Sequence, residues 1–165
     1  MPVTLPSSEP RRWLHLGMIL ATVVVAADQA VKWWILEVVM HPPRVIEITG
    51  FFNLVLAWNR GVSFGLLNGE AAPWLLAAVA LAISLALGLW LRQAERILIA
   101  VGLGLILGGA LGNLIDRIRF GAVTDFLDFH AFGVHFWAFN VADSAITLGV
   151  TVLIIDGLFA EGDTA

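Results

Sequence analysis

No cysteine occurs among the 165 residues. The chain therefore forms no disulfide, offers no thiol nucleophile or thiolate metal ligand, and carries no lipid on a cysteine of its own. Tyrosine is absent as well, and the one lysine is Lys32. Charge is scarce, with 13% Asp, Glu, Lys and Arg, where a soluble domain has about 25%. Nine basic residues against thirteen acidic ones give a net charge of −4, which leaves no basic surface to hold a phosphate backbone, and no nucleic-acid partner is expected. Any chemistry falls to Asp, Glu, His, Ser, Thr, Asn and Lys32.

Apolar residues fill the space that charge leaves: 59% of the chain is hydrophobic and the mean hydropathy is +0.90. A helix rising 1.5 Å per residue needs about 20 apolar residues to cross ~30 Å of hydrocarbon. Four stretches qualify, at about 13–36, 73–91, 97–115 and 139–159. They predict an all-α membrane protein, a bundle of four transmembrane helices forming a single domain over 1–165. Gly104, Gly108 and Gly112 recur at four-residue intervals in the third span, a stripe that lets another helix approach closely in lipid. Arg11-Arg12 ahead of an apolar run ending at Ala26-Ala27 resembles a secretory signal, but the run continues through Trp33 to Leu36 and reads as a retained anchor.

Orientation does not follow from the charge count, because Arg11, Arg12, Arg92 and Arg96 on one side balance Arg44, Arg60, Arg117 and Arg119 on the other. Placement decides: Arg92 and Arg96 bracket a short loop and Arg11-Arg12 abut the first span, so both termini are expected in the cytoplasm. Segments 37–72 and 116–138 then face outward. Within them, residues 45–56 are rich in β-branched and aromatic residues around a Thr49-Gly50 turn signal, and 123–129 reads as a further strand. A small extracytoplasmic hairpin or sheet is expected there.

Asp28 and Lys32 stand four apart, share a helix face and read as a buried ion pair. Gly61-Val62-Ser63-Phe64-Gly65 matches a nucleophile elbow, yet that elbow needs a strand-turn-helix setting in a larger α/β sheet. A turn at Asn59-Arg60-Gly61, held by the Asn side chain, explains the same residues more simply. His130 and His135 lack a third ligand at a recognisable spacing, so no metal site is expected. Asp116 beside Arg117 reads as an interfacial carboxylate-guanidinium anchor. Asn140 to Asp143 has the spacing of a capping box.

The third span ends, and the fourth begins, on the outer side, so the segment between them holds Asp125 and Asp128 close to Asp143. On an extended strand Asp125 and Asp128 point to opposite faces, and only one of them faces Asp143. Two adjacent carboxylates tend to share a proton, one acting as base toward a water and the other as acid.

Four blocks in order, Asp28-Gln29-Ala30-Val31-Lys32, Asn59-Arg60-Gly61-Val62-Ser63-Phe64, Gly108 to Asp116-Arg117 followed by Gly121 to Phe126, and Phe139-Asn140-Val141-Ala142-Asp143-Ser144, make the chain resemble the lipoprotein signal peptidases (bacterial signal peptidase II) over nearly its whole length. The resemblance implies an aspartyl endopeptidase of the bacterial inner membrane that needs no cofactor. Its substrates would be prolipoproteins carrying diacylglycerol on the lipobox cysteine, cut just before that cysteine. Motif matching puts the catalytic pair on Asp125 and Asp143. Positions lining or bracing the site fall on Asn59, Gly61, Asn113, Asp116, Arg117, Asn140, Ala142, Asp28 and Lys32. Thr124 and Arg60 depart from the family pattern, which more often has valine and a small or neutral residue there. Its partners would be those substrates and membrane lipid, and the chain is expected to be monomeric. A reading from another class is a small transporter or proton-relay protein using Asp28, Lys32 and Asp143.

Overall fold

The structure, a computed structural model, describes residues 10–61 and 72–162. Four helices are long and apolar enough to cross a membrane. α1 (Pro10–Trp34) runs on into a π-helical turn, Ile35–Val39; α2 is Ala72–Leu91, α3 Ile97–Phe120 and α4 Val141–Gly162. The chain is therefore a multi-pass membrane protein built as a four-helix bundle.

α3 runs beyond the expected end at 115. Asp116, Arg117 and Arg119 are all compatible with a helix, and the stop is Gly121. It takes the left-handed conformation (φ 66°) that only glycine adopts without strain, and its N–H donates to the Arg117 carbonyl at 3.0 Å. α3 is the central helix, packing against α1, α2 and α4. Its glycines make this possible: a Cβ on Gly104, Gly108 or Gly112 would come within 2.6 Å of Gly17, Val24 or Asp28 on α1. Gly102 and Gly109 form a second small surface, against Leu153 and Ala142 of α4, which the four-residue spacing had not revealed. Ile19, Val23, Leu85, Ile154 and Leu158 stay exposed on the outside of the bundle, as lipid-facing residues must. At the end of the bundle where α3 begins, Arg96 pairs with Asp156 at 2.6 Å.

At the other end sits an antiparallel sheet of four strands in the order β1-β2-β3-β4, comprising β1 (Ile46–Thr49), β2 (Phe52–Asn59), β3 (Val123–Ala131) and β4 (Val134–His135). Asn53 lies opposite Asp128 and Asn59 opposite Val123, with a bulge between Leu54 and Ala57 that shifts the register of β2. The chain after β4 returns along β3, Phe139 pairing with Leu127, and leads directly into α4. Val123 to Phe126 are all buried, because β3 lies between β2 and this returning segment. Phe126 packs with Ile35 and Met40 in an apolar cluster that also gathers Leu54, Leu56 and Val141 and seats the sheet on the helices. Ser63 lies outside the described residues, whereas the expected Asn59 turn is present: Gly61 N–H donates to Asn59 Oδ1 at 2.9 Å.

Candidate active site

The site is built on a buried ammonium. Lys32 Nζ lies 2.9 Å from Asp28 Oδ2, 3.0 Å from Asp116 Oδ2 and 3.1 Å from Asn113 Oδ1, so each of its three hydrogens has an acceptor. Asp28 Oδ1 accepts the Ala142 N–H at 2.9 Å, where the first turn of α4 carries unpaired N–H groups and a favourable dipole for an anion. Asp116 Oδ2 also accepts the Thr124 N–H at 2.9 Å, fixing the start of β3. One cluster thus ties α1, α3, β3 and α4 together. The expected Asp28 and Lys32 pair forms, but the expected anchor does not. Asp116 pairs with Lys32 instead of Arg117, because consecutive helical residues point about 100° apart. Arg117 donates weakly to the Asn113 carbonyl at 3.4 Å and sets its positive charge toward Asp143, Asp125 and Asp116.

Asn113 links this cluster to the acids above it. Its Oδ1 accepts from Lys32, and its Nδ2 donates to Asp143 Oδ1 at 2.8 Å. The capping box forms in both directions: Asp143 N–H donates to Asn140 Oδ1 at 3.0 Å, and Asn140 N–H donates to Asp143 Oδ2 at 3.2 Å. Asn140 then reaches across with its Nδ2 to Asp125 Oδ1 at 2.7 Å, while Asn59 Nδ2 donates to Asp125 Oδ2 at 2.9 Å. One asparagine therefore touches both Asp125 and Asp143, and capping and site-building are done by the same side chain.

Burial, helped by the neighbouring Asp143 charge and opposed by the hydrogen bonds of Asn59 and Asn140, pushes the Asp125 carboxyl up to about 6. The folded protein thus holds this proton more tightly than the unfolded chain does, so the contribution to stability is complete below pH 3.8 and is lost as pH rises through about 6. Asp125 opens on a cavity of about 340 Å³ whose walls include Asn59, Arg60 and Trp137. Asp128 faces elsewhere: it contacts Asn53 and His135. The His130 and His135 rings lie 4.9 Å apart.

Two further residues bear on the site in ways that spacing alone does not show. Gln29 donates to Asp116 Oδ1 at 3.0 Å and to the Gly112 carbonyl at 3.2 Å, partners 87 and 83 residues away. Thr124, buried beside Asp125, presents an Oγ1 with no hydrogen-bond partner among the described residues. Replacing a lone buried hydroxyl by a methyl of the same shape removes its desolvation cost. Thr124→Val is expected to stabilise the protein by about 1 kcal/mol, read as a rise in the thermal unfolding midpoint in detergent; a fall would show that the hydroxyl is paired.

The model of the signal peptidase II family matches residues 20–159. The lipoprotein signal peptidase of Methylorubrum extorquens (strain PA1) is 47% identical over 147 residues, 86% of this chain and 85% of the relative. That of Methylobacterium sp. (strain 4-46) is 42% identical over 159 residues, 93% of this chain and 96% of the relative. A solved bacterial membrane enzyme superposes with a TM-score of 0.77 at 31% identity, covering 92% of each chain. The match runs through all four helices and both halves of the sheet, and the chain belongs to the signal peptidase II family of peptidases.

Proposed function

We propose that this peptidase removes signal peptides from diacylglyceryl-modified prolipoproteins at the outer face of the bacterial inner membrane, cutting before the lipidated cysteine by aspartyl catalysis. The observation that carries the reading is the pair of carboxylates, Asp125 and Asp143, held by one Asn140 where the bundle meets the sheet. A signal peptide can enter between helices from the bilayer while its lipid remains in the hydrocarbon, which brings the scissile bond to the interface.

Asp143 serves as the base toward water. It accepts from Asn113 and from the Asn140 N–H in the first turn of α4, where the helix dipole favours negative charge. Asp125 carries the shared proton. Asp143 takes a proton from the water as its oxygen attacks the carbonyl carbon. Asp125 donates its proton to the developing oxyanion; as the C–N bond breaks, the proton held by Asp143 passes to the leaving amine and Asp125 takes back a hydroxyl proton while the C=O bond re-forms. Asn59, Asn113 and Asn140 hold the carboxylates; Asp28, Lys32 and Asp116, with the Ala142 N–H, brace the helix ends beneath them. The turn at Gly61 steadies Asn59. Arg117 offsets the paired negative charge. The relay reading has little to rest on, because every hydrogen of Lys32 is already committed to a buried acceptor.

The purified protein in detergent is expected to cleave a lipid-modified precursor and to leave the same precursor intact when the lipid is absent. Its kcat/KM is expected to fall as pH rises through about 6, since the free enzyme then loses the proton that Asp125 donates. The apparent value belongs to the pair. A rate that rises with pH across that range would reverse the acid and base roles.

A further inference from the structure

On the other face of β3 from Asp125 lies a cavity of about 620 Å³ that the mechanism does not use. Its polar wall is Asp128, 5% exposed, and Asn53, 6% exposed, which stand opposite each other on β3 and β2. Asn53 Nδ2 donates to Asp128 Oδ2 at 3.3 Å, leaving Asn53 Oδ1 with no donor among the described residues. The carboxylate is paired with His135, Nδ1 to Oδ2 2.8 Å, whose side chain is 58% exposed. Val45, Val55 and Trp137 supply apolar walls. A buried carboxylate and an amide oxygen in want of a donor, with an aromatic face and an aliphatic wall beside them, fit a cation on an aliphatic stem.

We infer that Asp128 and Asn53, gated by His135, form a subsite for a lysine or arginine side chain of the substrate polypeptide on the mature side of the scissile bond; the inference rests on the peptidase reading above. Trp137 and Ala138 line both this cavity and the one on which Asp125 opens, so the two meet at one edge of the sheet. Asp128 is three residues along β3 from Asp125, about 10 Å of strand, a span that a few extended residues cover. The signal-peptide side of the substrate stays in the bilayer. The mature side is the part that leaves it, past the sheet.

The test uses lipid-modified precursors with Lys, Ala or Glu placed singly at each of the first several positions after the modified cysteine. The wild type is expected to favour Lys over Glu by about tenfold in kcat/KM at one or two neighbouring positions, with the difference in KM. Asp128→Asn should bring that ratio to within about twofold, and Asp128→Lys should invert it. His135→Ala keeps the carboxylate and removes its competitor, so the ratio should rise; this variant serves even if those at Asp128 fold poorly. Equal rates for Lys and Glu at every position, or a preference that survives both Asp128 substitutions, would overturn the inference and leave the peptidase reading standing. Failure of the wild type to cleave any lipid-modified precursor would overturn both.

Discussion

Lys32→Met is expected to destabilise the protein by about 3–5 kcal/mol, the usual result of removing one partner from a buried ion pair. Asp28 and Asp116 are both at most 1% exposed and share that single ammonium. Methionine leaves two carboxylates without a counter-charge between α1 and α3, and Asn113 Oδ1 loses its charged donor. The loss would be read from thermal or denaturant unfolding in detergent. Adding Asp28→Asn removes one uncompensated charge, so the double variant should recover part of the stability. Lys32→Met alone unfolding like the wild type would mean that the cluster is solvated and not structural.

Asp125→Asn and Asp143→Asn are each expected to lower cleavage by about a thousandfold, the scale of losing a positioned acid or base. Each amide keeps one accepting oxygen and loses one accepted hydrogen bond, so a stability cost of about 1–2 kcal/mol is expected, offset at position 125 by the removed repulsion with Asp143. A loss of activity far larger than the modest shift in unfolding midpoint separates chemistry from folding, which the Lys32 variant does not do.

The four spans were legible because crossing a membrane demands a length of apolar chain that few other constraints produce. The hairpin at 45–56 and the strand at 123–129 were legible from their β-branched and aromatic residues around turn signals. The capping box at Asn140 and Asp143 could be read from spacing alone, since both partners lie within one helical turn. What spacing could not show is every bond between distant residues: that Lys32 serves Asp116 as well as Asp28, that Asn113 links the ion cluster to Asp143, and that Gln29 closes on α3. The end of α3 was misjudged for a related reason. Asp116 and Arg117 look like the edge of a span, yet Asp116 is buried by a partner on another helix and Gly121 makes the stop. Alternation on β3 separated Asp125 from Asp128 but could not say which of them met Asp143; the Asn140 amide bonded to Asp125 supplies that contact.

Asp125 and Asp143 are proposed to direct water together to the bond before the lipidated cysteine. Mass analysis of the products from one lipid-modified precursor, incubated with wild type, Asp125→Asn and Asp143→Asn, tests it most directly. The wild type is expected to yield a signal peptide and a chain beginning at the modified cysteine, and both folded variants are expected to leave the precursor whole. Wild-type rates of the same cleavage by either variant would contradict it.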